Sequence, residues 1–260
     1  MTAGTRRLPP GRYRFRHVVR MEWVKLASLR STWATLGLII AAAAGIAVLA
    51  AAGTKTPSPD LTNSMMTGMF AGVLLAGVLG VLVVTSEYTS GTIRATLAAS
   101  PRRPLVLAAK AAVFGVTMLI TGQAAAFLAF FAGSTALGHG IAAPVLSQPG
   151  VLRTILLSGA SLALIGLLGL GLGSIIRHTA ASVAVLVGVV YVGELFLGQL
   201  NRTIDAYLPA YIVGDSLGGH TCAPGAASCP MPAWAGMSVL AAYAAAALLI
   251  GGCILARRDA

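Results

Sequence analysis

The sequence predicts an all-α membrane protein, built as an N-terminal amphipathic helix followed by six transmembrane helices. Three observations carry this. The chain has 260 residues, is 57% hydrophobic and only 10% charged, too little charge for a soluble domain of this length. Its apolar residues run in long, charge-poor blocks, each near the roughly 20 residues that a helix needs to cross a bilayer. Basic residues gather beside those blocks. The solvent for most of the chain is therefore lipid, and its backbone must be hydrogen-bonded within helices. A net charge of +11 in a soluble protein would suggest nucleic acid. Here the basic residues flank spans and follow the positive-inside rule, and no nucleic-acid motif is present.

The segment 1–32 holds Arg6, Arg7, Arg12, Arg14, Arg16, Arg20, Lys25 and Arg30 against one acid, Glu22. From about Arg14 to Arg30 it reads as an amphipathic helix, with Phe15, Val18, Val19, Leu26 and Leu29 on one side, lying in the interface. Glu22 falls on that apolar side, where an unpaired carboxylate is costly. The first span is expected at 33–52. Ala50-Ala51-Ala52 resembles a signal-peptide cleavage site, but the basic leader and the apolar block are both too long for one.

The remaining spans are expected at 65–86, 105–132, 152–176, 180–198 and 234–256. A short turn, Arg177-His178-Thr179, joins the fourth to the fifth. With the N-terminus inside, only Lys55, Arg153 and Arg202 of the 18 basic residues fall outside. Both termini are therefore expected in the cytoplasm, and the chain is expected to be a multi-pass protein of the inner (plasma) membrane. Gly68 and Gly72, and the run Gly166, Gly169, Gly171 and Gly173, suit close helix packing. Cys253 reads as a small buried hydrophobe in the last span.

The most informative stretch is the second-to-third connection, 87–104. Ser90 or Thr89 can cap a short helix running to 97–99, which Pro101 would end. Such a helix can dock on a soluble partner. Composition alone leaves a solvated basic loop as an equal reading. The pattern Glu87-Tyr88, Gly91-Thr92-Ile93-Arg94, Leu97, Pro101-Arg102-Arg103 and then Lys110 resembles the hallmark of ABC type-2 exporter permeases. The order of parts along the whole chain is also similar: basic amphipathic helix, six spans, long segment at 199–233. The resemblance implies one permease domain over 1–260, with the first helix as an "elbow" and 87–104 as the coupling loop. It also implies docking by a separate ATPase subunit that binds ATP and Mg, a second permease copy or paralogue, and export as the direction. Glu22 would then pair with a basic residue of the coupling connection; the alternative is a local pair with Lys25, three residues on. Short re-entrant helices are implied within 199–233.

The chain has no G-x-x-x-x-G-K-[S/T] phosphate loop, and no H-E-x-x-H or G-x-S-x-G motif, so it is read as neither ATPase nor hydrolase and as carrying no cofactor of its own. Its four histidines lie in separate segments. Glu194 is the one acid deep in an expected span. It either faces a translocation path or reaches the interface near Arg202. Cys222 and Cys229, with six residues between them, are expected to form a disulfide in the external segment. Two rival functions stay open. An ion-gradient transporter would carry more intramembrane charge and internal repeats. A membrane interaction or immunity protein would need no ATPase.

Overall fold

The computed structural model describes residues 15–54, 61–93, 103–138, 141–197, 206–216 and 232–257. Every regular element among them is helical. The first, α1 (Phe15–Ser28), buries Val18, Glu22 and Leu26, a stripe at four-residue spacing. Val18 packs on Val106 and Ala109. Phe15 and Leu29, expected on the same face, are 46% and 52% exposed. Their angle is right, but both lie at the ends of the segment, beyond the turns that meet the neighbouring helix. Leu29 is extended and ends the segment; α2 (Arg30–Gly53) follows at once. The Trp33 indole N–H donates to the Ala27 carbonyl at 2.9 Å and spans that corner.

The next span is jointed. A short α3 (Leu61–Met66) leads through Thr67 and Gly68 into α4 (Met69–Thr89). Gly68 presses against the Ala43 backbone of α2, and a Cβ there would strike the Ala43 carbonyl. Then come α5 (Arg103–Thr135) and α6 (Val151–Ile176). After a two-residue turn follows α7 (Thr179–Val187), which runs without a gap into a π-helical turn (Gly188–Val192) and α8 (Gly193–Leu197). Last are α9 (Pro209–Ser216) and α10 (Ala233–Arg257).

Five helical stretches among the described residues are long and apolar enough to cross a membrane: Arg30–Gly53, Leu61–Thr89, Pro104–Thr135, Val151–Ile176 and Ala233–Arg257. The stretch expected as a fifth of six spans is helical, but its apolar part, Thr179–Val192, is shorter. The π turn interrupts it and Glu194 cuts its apolar run.

The centre of the bundle is α6, packed on α4, α5 and α10. Its most apolar window is 67% buried, against 28% for α2 and for α10, which places those two at the rim. Glycine makes the centre possible. Gly169 meets Gly77, and Gly80 meets Gly166, so closely that an added Cβ would overlap a carbonyl oxygen of the facing helix. Without a hydrophobic drive between helices in lipid, such backbone proximity is what holds spans together. Cys253 is exposed on α10 and not buried as expected, because the helix turns that face away from α6.

Candidate functional site

Four charged side chains meet at one end of the bundle. Glu22 comes from the middle of the buried face of α1, Glu87 from the last turn of α4, and Lys110 from the second turn of α5. Lys25 stands one turn after Glu22. The Lys110 ammonium donates to Glu22 Oε2 at 2.6 Å and to Glu87 Oε1 at 2.9 Å. The Lys25 ammonium donates to Glu22 Oε1 at 2.9 Å and to Glu87 Oε1 at 3.0 Å. Positive and negative groups alternate around the ring. Glu22 is 3% exposed and Lys110 5%, so both are taken out of water, a cost that only good geometry offsets. Burial pulls the Lys25 pKa down, but the hydrogen bonds and charges of Glu22 and then Glu87 outweigh it and hold it above its ordinary value of 10.5.

Both sequence readings of Glu22 are therefore realised at once: the local pair with Lys25 and a long-range pair with Lys110 across 88 residues. One atom is left over. Glu87 Oε2 is buried and receives no hydrogen bond. Beside the ring lies a cleft of about 400 Å³, with Leu26, Leu29, Val83 and Val113 on its apolar side and Ser86 and Glu87 among its polar lining.

Beyond α4 the chain turns. The Thr89 and Ser90 hydroxyls donate back to the Ser86 carbonyl at 3.1 and 2.8 Å. They close the end of α4; Thr92 and Ile93 then enter a helical stretch, and the remainder of the short helix expected to run to 97–99 lies outside the described residues. A helix C-terminus offers unpaired carbonyls, and a nearby hydroxyl takes the closest. Gly91 follows at φ 69°, a left-handed position natural to glycine. The Ser90 and Thr92 hydroxyls share a hydrogen bond of 2.9 Å. Ile93 is only 8% exposed, so it is already covered by this chain. Arg94, Leu97, Pro101 and Arg102 lie outside the described residues, as does the side chain of Arg103, which opens α5.

Tyr88 faces the other way from Glu87. The Arg177 guanidinium sits 5.3 Å from the centre of its ring, a cation–π distance. Arg177 ends α6 in a left-handed conformation, φ 60°, unusual for a residue with a side chain. Its Nε and Nη2 are buried with no hydrogen-bond partner. One turn earlier, the Thr179 hydroxyl donates to the Thr85 hydroxyl at 2.9 Å. The last turn of α4 is thus held on one side by α1 and α5, and on the other by the α6–α7 turn. Sequence reasoning counted Arg177 only as a topology signal; its place in a three-residue turn was the one hint of more.

Glu194 lies in α8, just past the π turn, with its side chain outside the described residues. The π turn itself is tied to α4 by the Tyr191 hydroxyl, which donates to the Phe70 carbonyl at 2.9 Å. π turns often mark functional positions. Cys222 and Cys229 lie outside the described residues. Of the expected short helices in 199–233, α9 is described, with Ile212 and Val213 buried.

No protein-family model matches this chain, and no curated protein matches it. Fold and composition give a multi-pass, all-α membrane protein, consistent with a transport-related role.

Proposed function

We propose that the chain is the membrane-spanning permease subunit of an ATP-driven ABC exporter. In this reading α1 is the elbow helix, the continuous helix Thr179–Leu197 counts as the fifth of six spans, and both termini are cytoplasmic. ATP and Mg are bound by a separate ATPase subunit docked on the loop that leaves α4 and returns as α5. A second permease, identical or paralogous, completes the transport path.

The observation that carries this is the ring of Glu22, Lys25, Glu87 and Lys110. Glu87 and Lys110 stand on the two helices that flank the coupling loop, and the ring joins both to α1. A push on that loop would move the ends of α4 and α5 together and carry α1 with them. Through Tyr88 and Arg177 it would also reach α6 and α7. Each of the four charges is engaged by an opposite one, and Glu22, Glu87 and Lys110 are buried. They suit the transmission of a displacement. The ring also sits at one end of the spans and not at their middle, where ion-coupled carriers hold their binding sites.

The test is purification of the tagged chain from native membranes in mild detergent. An ATP-hydrolysing subunit should copurify, and replacing Leu97 with Asp should reduce its recovery. Ile93 is a poorer probe, since it is already buried in this chain. Replacing Glu22 with Gln should leave the ATPase bound but lower transport per ATP consumed. Absence of any copurified ATPase, or full recovery with Leu97→Asp, would overturn the proposal.

A further inference from the structure

The geometry points to the cleft beside the ion ring as a binding site for an amphiphile with a primary-ammonium headgroup, of which phosphatidylethanolamine is the membrane example. The ammonium would donate to Glu87, and the chain would lie along Leu26, Leu29, Val83 and Val113.

Four observations support this and none depends on ATP coupling. Glu87 is 9% exposed, lines the cleft, and has one carboxylate oxygen without a donor. A buried charged acceptor left unmade is costly, and a donor supplied by a ligand forms one of the stronger hydrogen bonds available. Oε2 is closed off as the side chain stands, so binding would require the carboxyl to turn about its soft terminal torsion, with the Lys25 and Lys110 ammoniums following Oε1. Second, the lining is two-sided, with aliphatic walls together with the Ser28 and Ser86 side chains and the ionic floor. Third, a volume of about 400 Å³ falls within the range that holds small ligands. It has room for a headgroup and the first methylenes of a tail. Fourth, the cleft lies between α1 and the ends of the spans. There Trp23, Val24, Leu29 and Trp33 are all about half exposed or more, as expected of a surface at the lipid interface. A lipid reaches such a cleft sideways, without leaving its leaflet.

The charge balance narrows the class. Two glutamates and two lysines form the ring, which is neutral as it stands. A bare cation would leave a net charge in a half-buried place, whereas a zwitterion brings its own phosphate. Phosphatidylcholine is also a zwitterion, but its quaternary ammonium carries no N–H and cannot donate. The site should therefore separate two lipids that differ only in headgroup methylation.

The full-length protein is reconstituted in nanodiscs with equimolar phosphatidylethanolamine and phosphatidylcholine, then released for native mass spectrometry of the lipids it retains. A hydrogen bond to a charged acceptor sets the expected preference for the ethanolamine lipid at roughly tenfold. Val83→Phe fills the cleft from its apolar wall and leaves all four charges in place; it should erase the preference. A separate arm loads phosphatidylcholine discs with n-dodecylphosphoethanolamine, a single-chain zwitterion with the same primary-ammonium headgroup. Its saturable retention, lost in Val83→Phe, would support the same ammonium chemistry from a soluble source, and retention of the ethanolamine lipid alone would assign the site to lipid. Equal retention of both lipids by the unaltered protein would overturn the inference and leave the cleft to water. So would an ethanolamine preference that Val83→Phe does not change.

Discussion

Replacing Lys110 with Met keeps most of the aliphatic stem and removes the ammonium from the centre of the ion ring. Glu22 and Glu87 then each lose a donor while staying buried. Removing one partner of a buried ion pair costs about 3–5 kcal/mol, because the charge left behind is uncompensated. Here Lys25 still donates to both carboxylates at 2.9 and 3.0 Å, so the expected loss is near the lower bound, about 3 kcal/mol. That is a drop of roughly a hundredfold in the ratio of folded to unfolded protein. The double variant Lys110→Met with Glu22→Gln removes one charge of each sign and leaves Lys25 with Glu87. It should be no less stable than Lys110→Met alone, so the two changes should be clearly non-additive. SDS-titrated unfolding in mixed micelles measures this, with fluorescence of Trp23, the residue after Glu22, as the reporter. A loss below about 1 kcal/mol for Lys110→Met, or a double variant that loses the sum of both single effects, would mean that the ring is solvated and not a buried, coupled unit.

Gly80→Ala forces a Cβ against the Gly166 backbone and should cost about 2–3 kcal/mol by the same unfolding assay. Gly37→Ala, where nothing lies within 4 Å of the new atom, should instead gain up to about 1 kcal/mol. Because the Lys25 pKa is raised in the folded protein, its stabilisation is fully present below pH 10.5, the ordinary value, and is lost as pH rises through the folded value. Melting temperatures across pH 8–11.5 in detergent should show that loss at the alkaline end, and Lys25→Met should lack its share of it. Cys253 faces outward from α10, so a membrane-permeant maleimide should label it in intact bilayers. Failure to label without prior unfolding would place that face inside an assembly.

Helix content was legible because length and apolarity fix it: blocks of about 20 residues have one stable form in lipid. Glu22 was legible as an anomaly, a charge on an apolar stripe that had to find a partner. Which partner was not, because Lys25 satisfies a helical spacing and Lys110 is reached only through the packing of α1 on α5. The ring's other acid, Glu87, was read as part of a motif, and its bond to Lys110, 23 residues on, depends on how the two helices that carry them return to the same end. Cys253 was misjudged for a physical reason. Apolarity says that a residue avoids water, but not whether lipid, a partner or its own chain covers it. The π turn had no clear signal; Val-rich sequence between two glycines fits an ordinary α-helix equally well. The joint at Gly68 was half visible, since the glycine pair suggested close packing but not the break.

The distance along the chain between Glu22 and Lys110 also sets an order of events during synthesis. When α1 leaves the ribosome, its buried carboxylate has only Lys25 for company. The remaining donor is 88 residues away. At a translation rate of about 5–20 residues per second, it follows after roughly 4–18 s. Through that interval the first helix cannot settle into its final seat, whatever the state of the first span. A helix waiting at the membrane surface with a half-paired acid is a natural client for an insertion chaperone. Its docking then reports that the start of α5 has arrived, so α1 takes its place only after α2, α3 and α4, which follow it in the chain.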